Sequence, residues 1–301
     1  MESFQEFSAE ACVLNSSISV ITGNNALRVL DRCATSPVSK LHELERFETL
    51  ICNPNGRIED YITICNVDSG LLLLGLPESG DLTREMLYSG ISWDEVASIR
   101  SGDEALNRIA IFGPSIERPL IGLGVEIQEL QFNRWLELGN TLISKKKKYS
   151  DEVIDIIIPK SETIDFLRAL RETGCNEAQT KRWNSFRISN SIRSHEEIVG
   201  RIPHEVGLED MIDTGKGCYP GQEIHARLES RSEAKRRLTI IYSEGPIPTG
   251  RHQSEVGSIE ITSMGRSATG HLAFAIIPTK ASILEGLELD FGLIKLEPLS
   301  L

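Results

Sequence analysis

Lys216-Gly217-Cys218-Tyr219-Pro220-Gly221-Gln222-Glu223-Ile224-His225-Ala226-Arg227 packs a thiol, two glycines, an amide, an acid, an imidazole and cations into twelve residues. Gly217 and Gly221 permit backbone angles and close approaches that a side chain forbids, and Pro220 stiffens the turn between them. From Gln222 onward the residues are good or tolerable helix formers, with Glu223 and Arg227 at the favourable i,i+4 spacing. The spacing therefore predicts a shaped loop followed by a short helix. Cys218 falls just before that helix start and two residues after Lys216, and both neighbours favour a thiolate. The plainer reading of a lone cysteine is a small buried hydrophobe.

Composition narrows the setting. The chain has 301 residues, 40% hydrophobic and 25% charged, enough to bury one large core or two to three smaller ones. A net charge of −12 argues against nonspecific nucleic-acid or anionic-membrane binding, which both need cationic surface. The six cysteines, Cys12, Cys33, Cys52, Cys65, Cys175 and Cys218, include no Cys-x-x-Cys pair, so no zinc ribbon or four-cysteine cluster site is legible. Scattered thiols, an acidic start from Met1 to Glu10 and no apolar run near the roughly 18 residues of a span predict a cytoplasmic protein.

Outward from the cysteine loop, short elements follow one another. Ser17 to Thr22 reads as a strand ended by Gly23, and Ala26 to Arg32 as a helix. Leu44 to Cys52 and Ile58 to Asn66 flank Asn53-Pro54-Asn55-Gly56, a hairpin signal. Leu71 to Leu76, Arg108 to Phe112 and Glu152 to Ile158 read as strands, and Asp81 to Leu87 as a helix. Ser161 is the expected cap of a helix running to Arg171 and stopped by Gly174. Trp183 and Phe186, within 177–187, read as core aromatics. The four lysines 145–148 read as a solvated loop. From Leu238 the pattern becomes short strands, 238–242, 257–262, 271–276 and 287–293, which predicts a small barrel or sandwich. The fold class is α+β, with a 1–237 region of two subdomains and a 238–301 β-barrel.

The run Lys-Gly-Cys-Tyr-x-Gly-Gln-Glu-x-x-Ala-Arg resembles the signature of the YgfZ family, relatives of the glycine-cleavage T-protein aminomethyltransferases. Softer matches stand in the same order: Gly23-Asn24-Asn25-Ala26, Asn53 to Arg57, Ile111-Phe112-Gly113-Pro114, Phe186 to Ser191, Ile202 to Leu208, and Gly257 to Ser263. The resemblance implies a T-protein-like ring of α+β domains that binds tetrahydrofolate, closed by a C-terminal β-barrel. It also implies a role in assembly or repair of iron–sulfur clusters, with client or assembly proteins as partners. Three positions depart from the T-protein pattern. Ser189 stands where a glutamate usually grips the pterin, Ser191 replaces a glycine, and Tyr61 breaks a pair of aspartates of which Asp60 is the first. A carboxylate meets a pterin edge with two hydrogen bonds, whereas a serine hydroxyl offers one weaker contact.

The site expected from the resemblance has Cys218 as working thiol and Lys216 as its tuning neighbour. Tyr219, Gln222, Glu223, Arg227 and Asp60 are the expected folate-binding residues, with Arg227 suited to a folate carboxylate. Each has a plainer reading. Glu59 and Asp60 could be a solvated hairpin end. Arg227, Arg231, Lys235, Arg236 and Arg237 could be an exposed helix face interleaved with Glu229 and Glu233. His204 and His225 lack partners at metal-ligand spacing and read as histidines satisfied in the fold. One thiolate cannot hold a common cluster, which needs four ligands, so Cys218 would share a cluster with a partner or react as a nucleophile or redox thiol. The alternative function is a tetrahydrofolate-dependent aminomethyl or methyl transferase. A third reading is an interaction module whose ligand site has decayed.

Overall fold

The computed structural model describes residues 9–146, 153–231, 234–282 and 284–299. Residues 1–8, Lys147, Lys148, Glu152 and Glu233, which enter the readings above, lie outside them. Strands β1 (Glu10–Leu14) and β2 (Ser17–Thr22) lead into α1 (Ala26–Cys33). Then come β3 (Arg46–Cys52), β4 (Ile58–Val67), β5 (Gly70–Gly75), α2 (Gly80–Ser89), β6 (Ser98–Ser101), β7 (Leu106–Phe112) and α3 (Glu117–Gly122). β8 (Trp135–Leu138), β9 (Thr141–Lys146) and β10 (Val153–Pro159) precede α4 (Thr163–Glu172) and β11 (Asn176–Glu177). Helices α5 (Thr180–Ser189), α6 (His195–Ile198) and α7 (Gln222–Arg231) follow. The chain closes with β12 (Arg236–Ser243), β13 (Gly250–Ser254), β14 (Gly257–Ser267), β15 (Gly270–Pro278), β16 (Gly286–Leu289) and β17 (Gly292–Glu297). The fold is α+β.

Two compact units divide it, one of Met1–Leu30, Val38–Glu48 and Ile62–Thr180, the other of Asp31–Pro37, Thr49–Tyr61 and Lys181–Leu301. In the first, one sheet runs β11-β1-β7-β10-β9-β8. A second runs β3-β4-β5-β2-β6, with the opening residues of β3 and the later residues of β4 in this unit. The sequence of β10 is almost wholly apolar because both of its faces are covered. Ile154, Ile156 and Ile158 pack with Ile109, Ile111, Leu120 and Leu170, while Ile157 packs with Ile18, Leu74 and Trp135. Asp155 interrupts that run. It is 2% exposed and accepts from Arg108 Nε at 2.7 Å and from Arg46 Nη2 at 3.0 Å. These cations hold its carboxyl well below the usual carboxylate range despite burial, which pushes the other way.

In the second unit the last six strands form one sheet, β13-β14-β15-β12-β17-β16. It curls until its edge strands β13 and β16 come into contact, around a core of Ile241, Ile259, Ile261, Ala273, Ile277 and Ile294. Glu197, fully buried on α6, ties the helices to this sheet. Its Oε2 accepts from Arg187 Nη1 and the Ser194 N–H, both at 2.8 Å, and its Oε1 accepts from Ser263 Oγ at 2.5 Å and Thr262 Oγ1 at 3.0 Å.

Several expectations are corrected. Ser161 does not cap α4: it lies inside a 3-10 turn, Lys160–Glu162, and the helix opens at Thr163 with no side-chain cap bond. The segment 287–293 is two strands, β16 and β17, because Asp290 and Phe291 turn the chain between them. Arg236 and Arg237 are not on a helix face. They open β12, where Arg236 Nη2 donates to the Ile276 carbonyl at 2.8 Å. Trp183 is only half-buried, stacked on the buried Phe186 at 5.8 Å between centroids. No helix among the described residues is long and apolar enough to cross a membrane.

Candidate functional site

The cysteine loop, the start of α7, the turn between β3 and β4, and residues 31–36 all belong to the second unit. Asn53 builds the turn. Its Oδ1 accepts from the N–H groups of Asn55 at 2.9 Å and Arg57 at 3.2 Å, and its Nδ2 donates to Glu59 Oε1 at 2.5 Å. Gly56 closes it at φ +69°, the left-handed region. Gly221, at φ +84°, lies against this turn so closely that a Cβ there would stand 2.5 Å from Gly56 Cα and 2.7 Å from the Asn53 carbonyl oxygen. Backbone meets backbone, and only glycine fits.

His225 locks the same junction from one turn into α7. It is fully buried, its Nε2 lies 2.9 Å from the Gly56 carbonyl oxygen and its Nδ1 3.3 Å from Tyr219 Oη. A carbonyl only accepts, so Nε2 carries the proton and, in the neutral ring, the tyrosine hydroxyl donates to Nδ1. Burial, with a smaller contribution from His204, lowers the His225 pKa against the opposing effect of the Gly56 carbonyl. The Tyr219 hydroxyl, also buried, is pushed up to about 12.

Lys216 anchors the other end of the loop. Its side chain is 5% exposed, and its ammonium donates to the carbonyls of Asp31 at 2.5 Å, Ala34 at 2.7 Å and Ser36 at 3.3 Å, with Asp31 Oδ1 at 3.6 Å. These acceptors lie at and just beyond the C-terminal turn of α1, where a cation is favourable. Gln222 Nε2 donates to the carbonyls of Thr214 at 3.1 Å and Lys216 at 3.2 Å. Thus Lys216 and Gln222 hold the loop's backbone.

Cys218 is the exposed thiol on this braced loop, while Cys12, Cys33, Cys52, Cys65 and Cys175 are buried. Burial pushes the Cys52 and Cys175 thiols up to about 12 and Cys12 to about 11, away from reactivity at neutral pH. Glu223 and Arg227 pair with each other on the exposed face of α7. Asp60 is 1% exposed, so the solvated hairpin end does not hold for it: β4 alternates, and Ile58, Asp60 and Ile62 all point inward. Ser189 is exposed and donates to the Phe186 carbonyl at 2.9 Å. Ser191 is buried at φ 56° with a hydroxyl that has no hydrogen-bond partner. Nδ1 of His204, whose ring lies 6.5 Å from that of His225, is likewise buried without one.

The carbonyl cradle of residues 31–36 and the seat of Gly221 on Gly56 escaped sequence reading. Neither leaves a local signal, since the partners are more than 160 residues apart in the chain. Among the described residues no group of three or more His, Cys, Asp or Glu is placed to hold a metal ion.

The chain superposes on the glycine cleavage system aminomethyltransferase T of Bartonella henselae with a TM-score of 0.83 at 16% identity, over 97% of this chain and 85% of that one. The fold is that of a T-protein. Heterotetrameric sarcosine oxidase from Corynebacterium sp. U-96 matches more loosely, at a TM-score of 0.36 and 11% identity over 57% of this chain and 88% of that one. In sequence, a chloroplastic protein of Arabidopsis thaliana that bears the name of a transferase is 21% identical over 273 residues. The match takes in 87% of this chain and spans only 63% of that relative's length. No family model matches the chain.

Proposed function

We propose that the protein is a folate-dependent accessory factor of iron–sulfur cluster assembly or repair, of the YgfZ type, with Cys218 as its working thiol. The observation that carries this reading is the contrast among the cysteines: five are buried, and Cys218 alone is presented to solvent. It stands on a loop braced by Lys216, Gln222 and the Gly221–Gly56 contact. Bracing of that kind suits a thiol that meets a partner repeatedly in one geometry. One thiolate supplies one ligand of the four a common cluster needs, so the remaining ligands come from a client or assembly protein. The T-protein fold supports a folate-type ligand, and Tyr219, Glu223, Arg227 and Asp60 are the residues proposed to receive it, with a cytoplasmic location as the expected setting.

A second reading, a tetrahydrofolate-dependent aminomethyl or methyl transferase, is favoured by Asp60, whose carboxylate is withdrawn from solvent near the turn end of β4. Anaerobic calorimetric titration with tetrahydrofolate, followed by product analysis with aminomethyl and N-methyl donors, separates the two. Saturable binding without methylene-tetrahydrofolate, together with loss of cluster-dependent activity in client enzymes on Cys218→Ser, supports the accessory role. Turnover abolished by Asp60→Asn and indifferent to Cys218→Ser establishes the transferase instead. Absence of folate binding at about a millimolar sets both folate roles aside.

A further inference from the structure

The most exposed large apolar side chain among the described residues is Trp93, at 98%. It is not isolated. Tyr88 (72%) and Val96 (67%) are exposed near it in the chain, and Leu82 (40%) stands about 120° around α2 from Tyr88, so four of the eleven exposed large hydrophobics among the described residues fall within fifteen residues, on α2 and the turn that follows. Exposed apolar patches of this density mark interaction surfaces, and tryptophan and tyrosine are the usual anchors there.

The patch is held in shape. Thr83 and Leu87 bury the opposite face of α2, and the Gly90 N–H closes the helix on the Met86 and Leu87 carbonyls at 3.2 and 3.1 Å. Beyond it Ser92 and Glu95 brace each other: the Ser92 N–H donates to Glu95 Oε2 at 2.9 Å and the Glu95 N–H to the Ser92 carbonyl at 3.0 Å. Arg28 holds Glu95 at 3.3 Å, and Asn25 clasps Val96 through two hydrogen bonds, at 2.9 and 3.2 Å. The Val96 carbonyl oxygen passes 2.4 Å from where a Cβ on Gly23 would stand, which only glycine allows. Trp93 therefore sits at the tip of a prebuilt turn, and a partner meeting it would have little backbone to order.

Charge selects the partner. Residues 78–97 expose four acids, Glu78, Asp81, Glu85 and Asp94, of which Asp81 pairs with the one base of the stretch, Arg84, while the buried Glu95 is neutralised by Arg28, so Glu78, Glu85 and Asp94 leave the face acidic. A second copy would bring the same acidic face from a chain of net charge −12, and anionic membranes would be repelled. We propose that the α2 face and the Trp93 turn form a docking surface for a basic segment of a partner protein, with apolar anchors that cover Trp93 and Tyr88 and cations that face Glu85 and Asp94.

The test uses the full chain and three labelled synthetic peptides: an amphipathic helix of leucine and lysine, the same helix with glutamate for lysine, and oligolysine. Fluorescence anisotropy is expected to show the leucine–lysine peptide binding at least about tenfold tighter than the other two, more weakly at high salt. Trp93→Ser with Tyr88→Ser is expected to lower that affinity by about tenfold, and Glu85→Lys with Asp94→Lys by a similar factor. All four positions are exposed, so circular dichroism and melting should match the parent. The proposal fails if the leucine–lysine peptide does not bind, if oligolysine binds as well, or if either double variant leaves affinity unchanged. It fails equally if sedimentation shows a dimer lost on Trp93→Ser, or if zwitterionic vesicles quench Trp93, since the occupant is then a second copy or a lipid surface.

Discussion

Ser191 is a residue at odds with its place. A left-handed φ of 56° costs a residue with a Cβ what glycine is spared, and the buried hydroxyl gives up water without a partner in return. Ser191→Gly should therefore raise stability by about 1 kcal/mol, the relief being partly offset by the larger unfolded-state entropy of glycine. The measurement is the urea midpoint at unchanged slope. Cys218 gives a second residue-scale prediction. With excess Ellman's reagent the native protein should release one thiol equivalent promptly and six only after denaturation, and Cys218→Ser should abolish the prompt phase. A prompt phase that survives the substitution would falsify the exposure contrast on which the proposed function rests. The cysteine motif was legible in the sequence as a shaped loop with one thiol, but Lys216 was expected to act on that thiol. Its ammonium is instead seated on the carbonyls of 31–36, a destination that spacing cannot announce because it lies 180 residues or more upstream.

At the scale of elements, the junction between the β3–β4 turn and α7 is the joint on which loop geometry depends. Gly221→Ala forces a Cβ to within 2.5 Å of Gly56 Cα, with a positive φ besides, and should cost about 2–4 kcal/mol or displace the turn. Faster labelling of Cys52, which ends β3, would report the displacement. The buried His225 adds a pH dependence. Its pKa is lowered in the fold, so the unfolded chain binds a proton more readily. The junction's contribution is complete above the ordinary histidine value of 6.5 and is lost as pH falls through it toward the depressed folded value. Chemical stability should decline between about pH 7 and 5, and His225→Gln, lower in stability throughout, should show a shallower decline over that window. Which elements were legible follows from their chemistry. The Asn-Gly turn and the helix opening at Gln222 carry strong local signals. β13, Gly-Arg-His-Gln-Ser, was missed because an edge strand of mostly exposed polar residues has no apolar alternation to detect, and β1 because five residues are too few for a period.

At the scale of the whole molecule each unit encloses an acid that an apolar pattern would not predict, Asp155 among the isoleucines of β10 and Glu197 beneath β14. The fold class and the closing run of short strands were readable, whereas these two networks were not, since each gathers residues from distant segments. Asp155 neutralises two cations at once, and Arg46 is 3% exposed with its guanidinium 5.0 Å from the Trp135 ring centroid. Removing the carboxylate leaves Arg46, among the described residues, with the half-buried Glu48 at 2.9 Å as its remaining ion pair, and its Nη1 has no hydrogen-bond partner there. Asp155→Asn keeps the shape and deletes the charge, so the loss it causes measures the stranded cations: about 3–5 kcal/mol in urea unfolding. Arg46→Met in the same chain removes a cation together with its counter-charge and should recover part of that loss. A double variant no more stable than Asp155→Asn would mean that the carboxylate matters for its hydrogen bonds to the strands around it and not for the charges it balances.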